Sequence, residues 1–286
     1  MGGMPVFLAP ILLMLLCAYL VALCPNRGRQ GRMRPFEEVY IAHRGLHDNA
    51  APWPENSLPA FCRAAEAGFG IELDVQLTAD DVLVVFHDET LARACGDDRK
   101  LHETTFVELQ KLRLFGTEEH IPTLSSVLAL VDGRVPIIVE IKSEGRWQET
   151  TRRTAELLDS YDGLYCVESF HPMVVRWFRE NRPRVLRGQL ATNFFREPNQ
   201  LNVPTRFLLT NLLLDYLAKP DFIAYDRRYA KGLSFRLCRA LFQPTCAAWT
   251  VKSQTQLDEA RDSFSVYIFD SFFPDGGPFT GKEETS

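Results

Sequence analysis

The stretch Gly70-Ile71-Glu72-Leu73-Asp74-Val75-Gln76-Leu77-Thr78-Ala79-Asp80-Asp81-Val82-Leu83-Val84-Val85-Phe86-His87-Asp88 decides how this chain is read. Apolar and polar residues alternate through its first part, an apolar run closes it, and a polar Thr-Ala-Asp-Asp segment divides the two. That pattern is two strands around a tight turn. Pairing Leu77 with Val82 sets Glu72 opposite His87 and Asp74 opposite Val85, so the second strand should return His87 to the end where the carboxylates lie. Residues two apart on a strand share a face, which points Glu72 and Asp74 the same way.

Outward from this hairpin, apolar runs recur at 39–44, 70–75, 135–141, 165–170, 185–190, 222–226, 246–251 and 266–270, with helical patterns between them. Eight such runs are what a closed parallel (β/α)8 barrel needs, and 286 residues exceed the roughly 250 typical of that fold. Residues 89–122 carry no clear strand and read as a partly helical insert. Thr123, before Leu124, reads as a helix N-cap.

The excess length lies at the amino terminus, where residues 5–24 form twenty positions without a charge. As a helix they would reach roughly 30 Å, enough to cross a bilayer. Residues 1–4 hold no Lys or Arg, which argues against a cleaved signal peptide and for an uncleaved transmembrane helix. Arg27, Arg29, Arg32 and Arg34 follow it and predict a single-pass membrane protein with a cytoplasmic catalytic domain. The division expected is an anchor with its basic flank at 1–34 and a barrel at 35–286. Cys62, Cys95, Cys166, Cys238 and Cys246 form no CxxC spacing and no paired framework, in keeping with reduced thiols. The formal charge of -5 is carried wholly outside the apolar segment, and an acidic domain excludes nucleic acid as the expected partner.

Polar residues stand where the apolar runs end: His43-Arg44-Gly45 after the first, Glu72 and Asp74 in the second, His87-Asp88 after the hairpin, and Glu140-Ile141-Lys142 at the third. Carboxylates converging at one end of a barrel repel one another unless a cation lies among them. Oxygen donors favour Mg²⁺ or Ca²⁺ over zinc. On residue types alone, the rival reading of Glu72 and Asp74 is an exposed antiparallel strand. Imidazole titrates near neutral pH, so His43 and His87 suit a reaction that removes one proton and delivers another, although a lone histidine is more often structural. Arg44 can fork onto two phosphate oxygens, and Gly45 permits a sharp exit from the strand. His47, His102, His120 and His171 have no metal spacing and read as structural or solvated, with His47 the readiest exception.

Taken in order, His43-Arg44-Gly45, Pro54-Glu55-Asn56-Ser57, Glu72-Leu73-Asp74, His87-Asp88 and Glu140-Ile141-Lys142 resemble the glycerophosphodiester phosphodiesterase family. The likeness continues more loosely through Ser169-Phe170 and Trp249-Thr250-Val251. Two departures stand out: Lys252 replaces the family's Asn, and Phe269 replaces its Thr before Asp270. The resemblance implies a metal-dependent hydrolysis of glycerophosphodiesters to glycerol 3-phosphate and an alcohol. It implies metal ligands Glu72, Asp74 and Glu140, catalytic His43, His87 and Arg44, and substrate contacts from Arg44, Glu55, Lys142 and Trp249. It leaves open whether the glycerol 2-hydroxyl or water attacks phosphorus. Rival readings are a lysophospholipase D acting on membrane lysolipids and a catalytically silent membrane-bound barrel.

Overall fold

The computed structural model describes residues 8–276. Its strands are β1 (Tyr40–His43), β2 (Gly70–Leu77), β3 (Leu83–Val85), β4 (Ile137–Ile141), β5 (Tyr165–Ser169), β6 (Arg187–Ala191), β7 (Phe222–Asp226), β8 (Thr245–Val251) and β9 (Val266–Phe269). Every strand except β3 is parallel to its neighbours in the order β1-β9-β8-β7-β6-β5-β4-β2, and a direct β1–β2 pairing closes the ring. This is the eight-stranded barrel expected, and each of the eight apolar runs is one of its strands.

Alternation along the strands divides the apolar side chains between two cores. Ile41, Ile138, Cys166, Leu190, Phe222, Ala224, Ala247, Val266 and Ile268 form one cluster with Met33 and Phe36. The larger cluster joins the other strand face to the surrounding helices, through Phe61, Val127, Leu158, Phe178 and Phe235 among others. Gly188 leaves room within the first cluster, since a Cβ there would lie 2.3 Å from the Phe222 ring.

The hairpin is present with its register moved by one residue. Val75 pairs with Val85, Gln76 with Val84 and Leu77 with Leu83. The cause is a three-residue turn, 79–81, in which Asp81 takes a left-handed φ of 67°. Thr78 sets it: its Oγ1 accepts from the Val82 amide at 2.9 Å and donates to Asp80 at 2.7 Å. A one-residue slip exchanges the two faces of a strand, so His87 is not held opposite Glu72 by ladder pairing. It reaches the site from the chain that leaves β3.

Residues 89–122 form short helical turns, Ala92–Cys95, Leu101–Glu103, Phe106–Leu109 and Leu114–Gly116. They bury a small core of their own, with Leu91, Leu101, Leu109, Leu114 and Ile121 packed against Val84 and Phe86 of the hairpin. Thr123 caps Leu124–Val131 as expected, accepting from the Ser126 amide.

The transmembrane reading is overturned. Among the described residues no helix is long and apolar enough to cross a membrane. The amino-terminal helix, Leu8–Ala22, has 15 residues. That is about 22 Å at 1.5 Å per residue, against a hydrocarbon core of roughly 30 Å. Residues 5–7 of the apolar segment lie outside the described part. The helix ends by joining the barrel: the Tyr19 hydroxyl bonds Ser234, Leu23 is fully buried, and Lys219 Nζ donates to the Cys24 carbonyl. The basic flank is no free tether either, because Arg29 donates to the Pro183 and Arg184 carbonyls and lies 3.4 Å from Asp221. The single-pass topology and the cytoplasmic orientation inferred from flanking arginines fall with the span on which they rested.

Met33 and Phe36, both fully buried, complete the inner core just before β1. Removing a buried phenyl ring costs about 3 to 5 kcal/mol. Phe36→Ala should therefore lower the free energy of unfolding by that amount, read from the urea transition, while turnover well below the transition is retained. A loss under about 1 kcal/mol would mean that the core does not depend on this plug.

Candidate active site

Barrel register assembles the carboxylates. Asp74 of β2 lies beside Glu140 of β4, and Glu72 stands one pleat lower, beside His43 of β1. All three carboxylates are buried, and their nearest oxygens lie within 4.8 Å of one another. Glu168, beside Glu140 on β5, brings a fourth buried carboxylate whose Oε2 has no hydrogen-bond partner. Ser169 instead turns to the backbone, donating to the Ile141 carbonyl at 2.7 Å.

Two cations answer this charge. Lys142 Nζ lies 2.8 Å from both Asp74 and Glu140. Arg44 donates from its backbone to Glu72 at 3.1 Å and from Nη1 to Glu55 at 2.7 Å, and its Nε lies 3.4 Å from Asp74. This reach follows from local backbone shape: Arg44 and Gly45 both have positive φ, 56° and 84°. A Cβ at position 45 would strike the Ala60 backbone at 2.8 Å, so only glycine fits.

The carboxylates respond unequally. Burial, with Asp74, Glu140 and Glu168 nearby, pushes Glu72 well above the ordinary range. Burial also raises Glu140, against the pull of Lys142. Asp74 goes well below it despite burial, because Lys142, His87 and Arg44 surround it. A divalent cation would relieve the crowding that raises Glu72, and the donors are all oxygen. The residues therefore fit a metal site.

Each expected catalytic histidine has a carboxylate at Nδ1. His43 Nδ1 lies 3.3 Å from Asp270, and its Nε2 lies 3.9 Å from Glu72. Burial and then Arg44 lower its pKa to about 4, against Asp270. His87 Nδ1 lies 2.5 Å from Asp88, and the ring remains a third exposed. Asp74 and Glu140 both feel its charge, which places it at the carboxylate end.

Several participants were not legible in the sequence. Arg93, in the insert, grips both oxygens of Glu55 at 2.7 and 2.9 Å and donates to Asp88 at 2.6 Å. Arg93, Arg44 and Asn49 hold Glu55 near a pKa of about 2 although burial alone would raise it. Nothing in Ala92-Arg93-Ala94 signals this role. Asn56, left-handed at φ 56°, donates to Asp74 at 2.8 Å, and its place beside Glu55 was the available clue. Trp249 meets Phe170 edge-on at 5.5 Å, and Phe170 meets Phe194 at 6.1 Å, forming an aromatic wall at the β5 to β8 side. Lys252 points toward Asp270 at 4.0 Å, and Phe269 packs edge-on against Phe69. Of the remaining histidines, His171 caps the helix Pro172–Asn181 and stacks on Trp147, whereas His47 lies 3.3 Å from Asp270.

A model of the glycerophosphoryl diester phosphodiesterase family matches residues 43–265. A glycerophosphodiester phosphodiesterase of Caldanaerobacter subterraneus is 45% identical over 113 residues, which cover 37% of this chain and 45% of that protein. Glycerophosphodiester phosphodiesterase 1 of Mus musculus is 30% identical over 292 positions, covering 89% and 84%. Among solved structures, an Oleispira antarctica phosphodiesterase in complex with its product sn-glycerol-3-phosphate superposes with a TM-score of 0.65. It shares 22% identity over 80% of this chain and 92% of its own, and so attests the fold. The chain belongs to the glycerophosphoryl diester phosphodiesterase family of phosphoric diester hydrolases.

Proposed function

We propose that the protein hydrolyses glycerophosphodiesters to sn-glycerol 3-phosphate and an alcohol, with Glu72, Asp74 and Glu140 binding Mg²⁺ or Ca²⁺ and with His43 and His87 moving the protons. One observation carries the reading: three carboxylates within 4.8 Å, two carboxylate-backed imidazoles, an arginine and a lysine converge at one end of the barrel. Barrel enzymes work at the carboxyl ends of their strands.

The division of labour follows from placement. A bound divalent cation would polarise the phosphoryl oxygens and offset negative charge. Arg44, fixed from one side by Glu55, presents the rest of its guanidinium to a phosphate oxygen. Glu55 thus acts through Arg44 and Arg93, and Lys142 balances the buried carboxylates. His43, neutral through the physiological range, is suited to take a proton at Nε2. Trp249 and Phe170 offer an apolar wall to the substrate's organic part. A silent barrel would have no use for so complete a set, and among the described residues no spanning helix favours membrane lysolipid over a soluble diester.

Chelation should abolish turnover, and Mg²⁺ and Ca²⁺, returned singly, should differ in how fully they restore it. Unaltered turnover in excess chelator would remove the metal from the mechanism. His43→Ala and His87→Ala should each lower kcat by roughly 10² to 10⁴ while a non-hydrolysable diester still binds. Near-native rates in both variants would reduce the two histidines to structural roles. In a panel of glycerophosphocholine, glycerophosphoethanolamine and lysophosphatidylcholine, the soluble diesters should show the higher kcat/KM. The reverse order would favour lysophospholipase D action.

A further inference from the structure

A neutral imidazole carries one proton on two nitrogens, and its neighbours decide which nitrogen holds it. In His43 the two nitrogens face different worlds: Nε2 looks toward Glu72 and the carboxylate cluster, while Nδ1 looks away toward Asp270 at the end of β9. A carboxylate accepts only, so it favours the proton on Nδ1 and leaves the Nε2 lone pair toward the reacting atoms.

Asp270 is itself held. Ser271 Oγ donates to its Oδ1 at 2.6 Å, His47 Nε2 lies 3.3 Å from the same oxygen, and Lys252 stands 4.0 Å from Oδ2. Burial would raise this carboxyl, yet His43, His47 and Ser271 keep it far below the carboxylate range. His47 arrives there because the left-handed turn at Arg44 and Gly45 folds the chain back, with the Leu46 amide bonded to the Ala60 carbonyl and the His47 amide to the Gly45 carbonyl. One short loop thus delivers two imidazoles to opposite oxygens of one carboxylate. The ion-pair partner of His47 is Asp270, which is not one of the three metal-ligand candidates, and its side chain is about nine-tenths buried.

We propose that Asp270 is the positioning residue of His43, fixing its Nδ1–H tautomer, and that His47 holds Asp270 in register for that task. The assignment rests on His43 as a proton-transfer group. It extends that reading to two residues outside the proposed metal and phosphate contacts.

The test uses the full chain with its metal. Asp270→Asn exchanges an acceptor for a possible donor, and His47→Ala removes the clamp. Each should lower kcat by about 10- to 100-fold with KM for glycerophosphocholine nearly unchanged. His47→Gln, which keeps a donor of similar reach, should recover most of the loss. Imidazole ¹⁵N–¹H spectra, assigned with His43→Gln, should show an Nδ1-bound proton on His43 in the parent and in His47→Gln, and its loss in Asp270→Asn. Thermal melts of the variants separate misfolding from mispositioning, and a folded His47→Ala protein with native kcat and an unchanged His43 signal would overturn the proposal. If Asp270→Asn and His47→Ala keep native kcat while His43→Ala loses it, the positioning role fails and the proposed function stands. If His43→Ala itself keeps the native rate, both fall.

Discussion

Four buried carboxylates at one mouth of a barrel, Glu72, Asp74, Glu140 and Glu168, are the constraint on which the rest of the site depends. Burying like charges together is costly, and proteins relieve it by protonation, by cations or by hydrogen bonds. All three devices are visible here. Lys142 sits between Asp74 and Glu140, Arg44 and Asn56 reach Asp74 from the opposite side, and Glu72 and Glu168 are driven toward the neutral acid. The site is therefore made to gain from a divalent cation. Lys142, with its pKa raised by the same carboxylates against the cost of burial, stays charged throughout.

A second device links the site to the insert. Arg44, Glu55, Arg93 and Asp88 form one chain of alternating charge that ends at the His87 imidazole. Its members come from the β1 exit, the loop before the helix Leu58–Glu66, the turn Ala92–Cys95 and the exit of β3. Glu55 joins the two arginines, so the Arg44 guanidinium and, through Arg93 and Asp88, the His87 imidazole are set by a common anchor. The pairs made by Arg93, which is 45% exposed, contribute little to stability. Their worth lies in geometry, and the small core beneath the insert is what keeps Arg93 in reach.

The barrel was legible because parallel strands buried on both faces leave long apolar runs, and each of the eight runs stands as a strand. The motifs of the family resemblance pointed to Glu72, Asp74, Glu140, His43 and His87, and parallel register carries these strand-end residues to one mouth of the barrel. The hairpin was read one residue out because Thr78 and the left-handed Asp81 make a three-residue turn that composition does not announce. Arg93, Asn56 and Asp270 were missed since each acts through a partner distant in sequence. The apolar amino terminus misled for a physical reason as well. Twenty uncharged residues satisfy the length of a span, but Ala22 ends the helix and Leu23 is needed by the barrel core.

The two histidines, equivalent in the sequence, are separated by their surroundings. His43 is largely enclosed, and desolvation together with Arg44 disfavours its imidazolium. An imidazole so disfavoured as a cation stays unprotonated and gives up an added proton readily. His87 stands at the rim with a third of its side chain exposed to water. An asymmetry in access to water thus separates the two rings of the proposed proton-transfer pair. It also accounts for the different supports the rings receive: a fixed, multiply bonded Asp270 behind His43, and behind His87 an Asp88 whose position is shared with Arg93 of the insert.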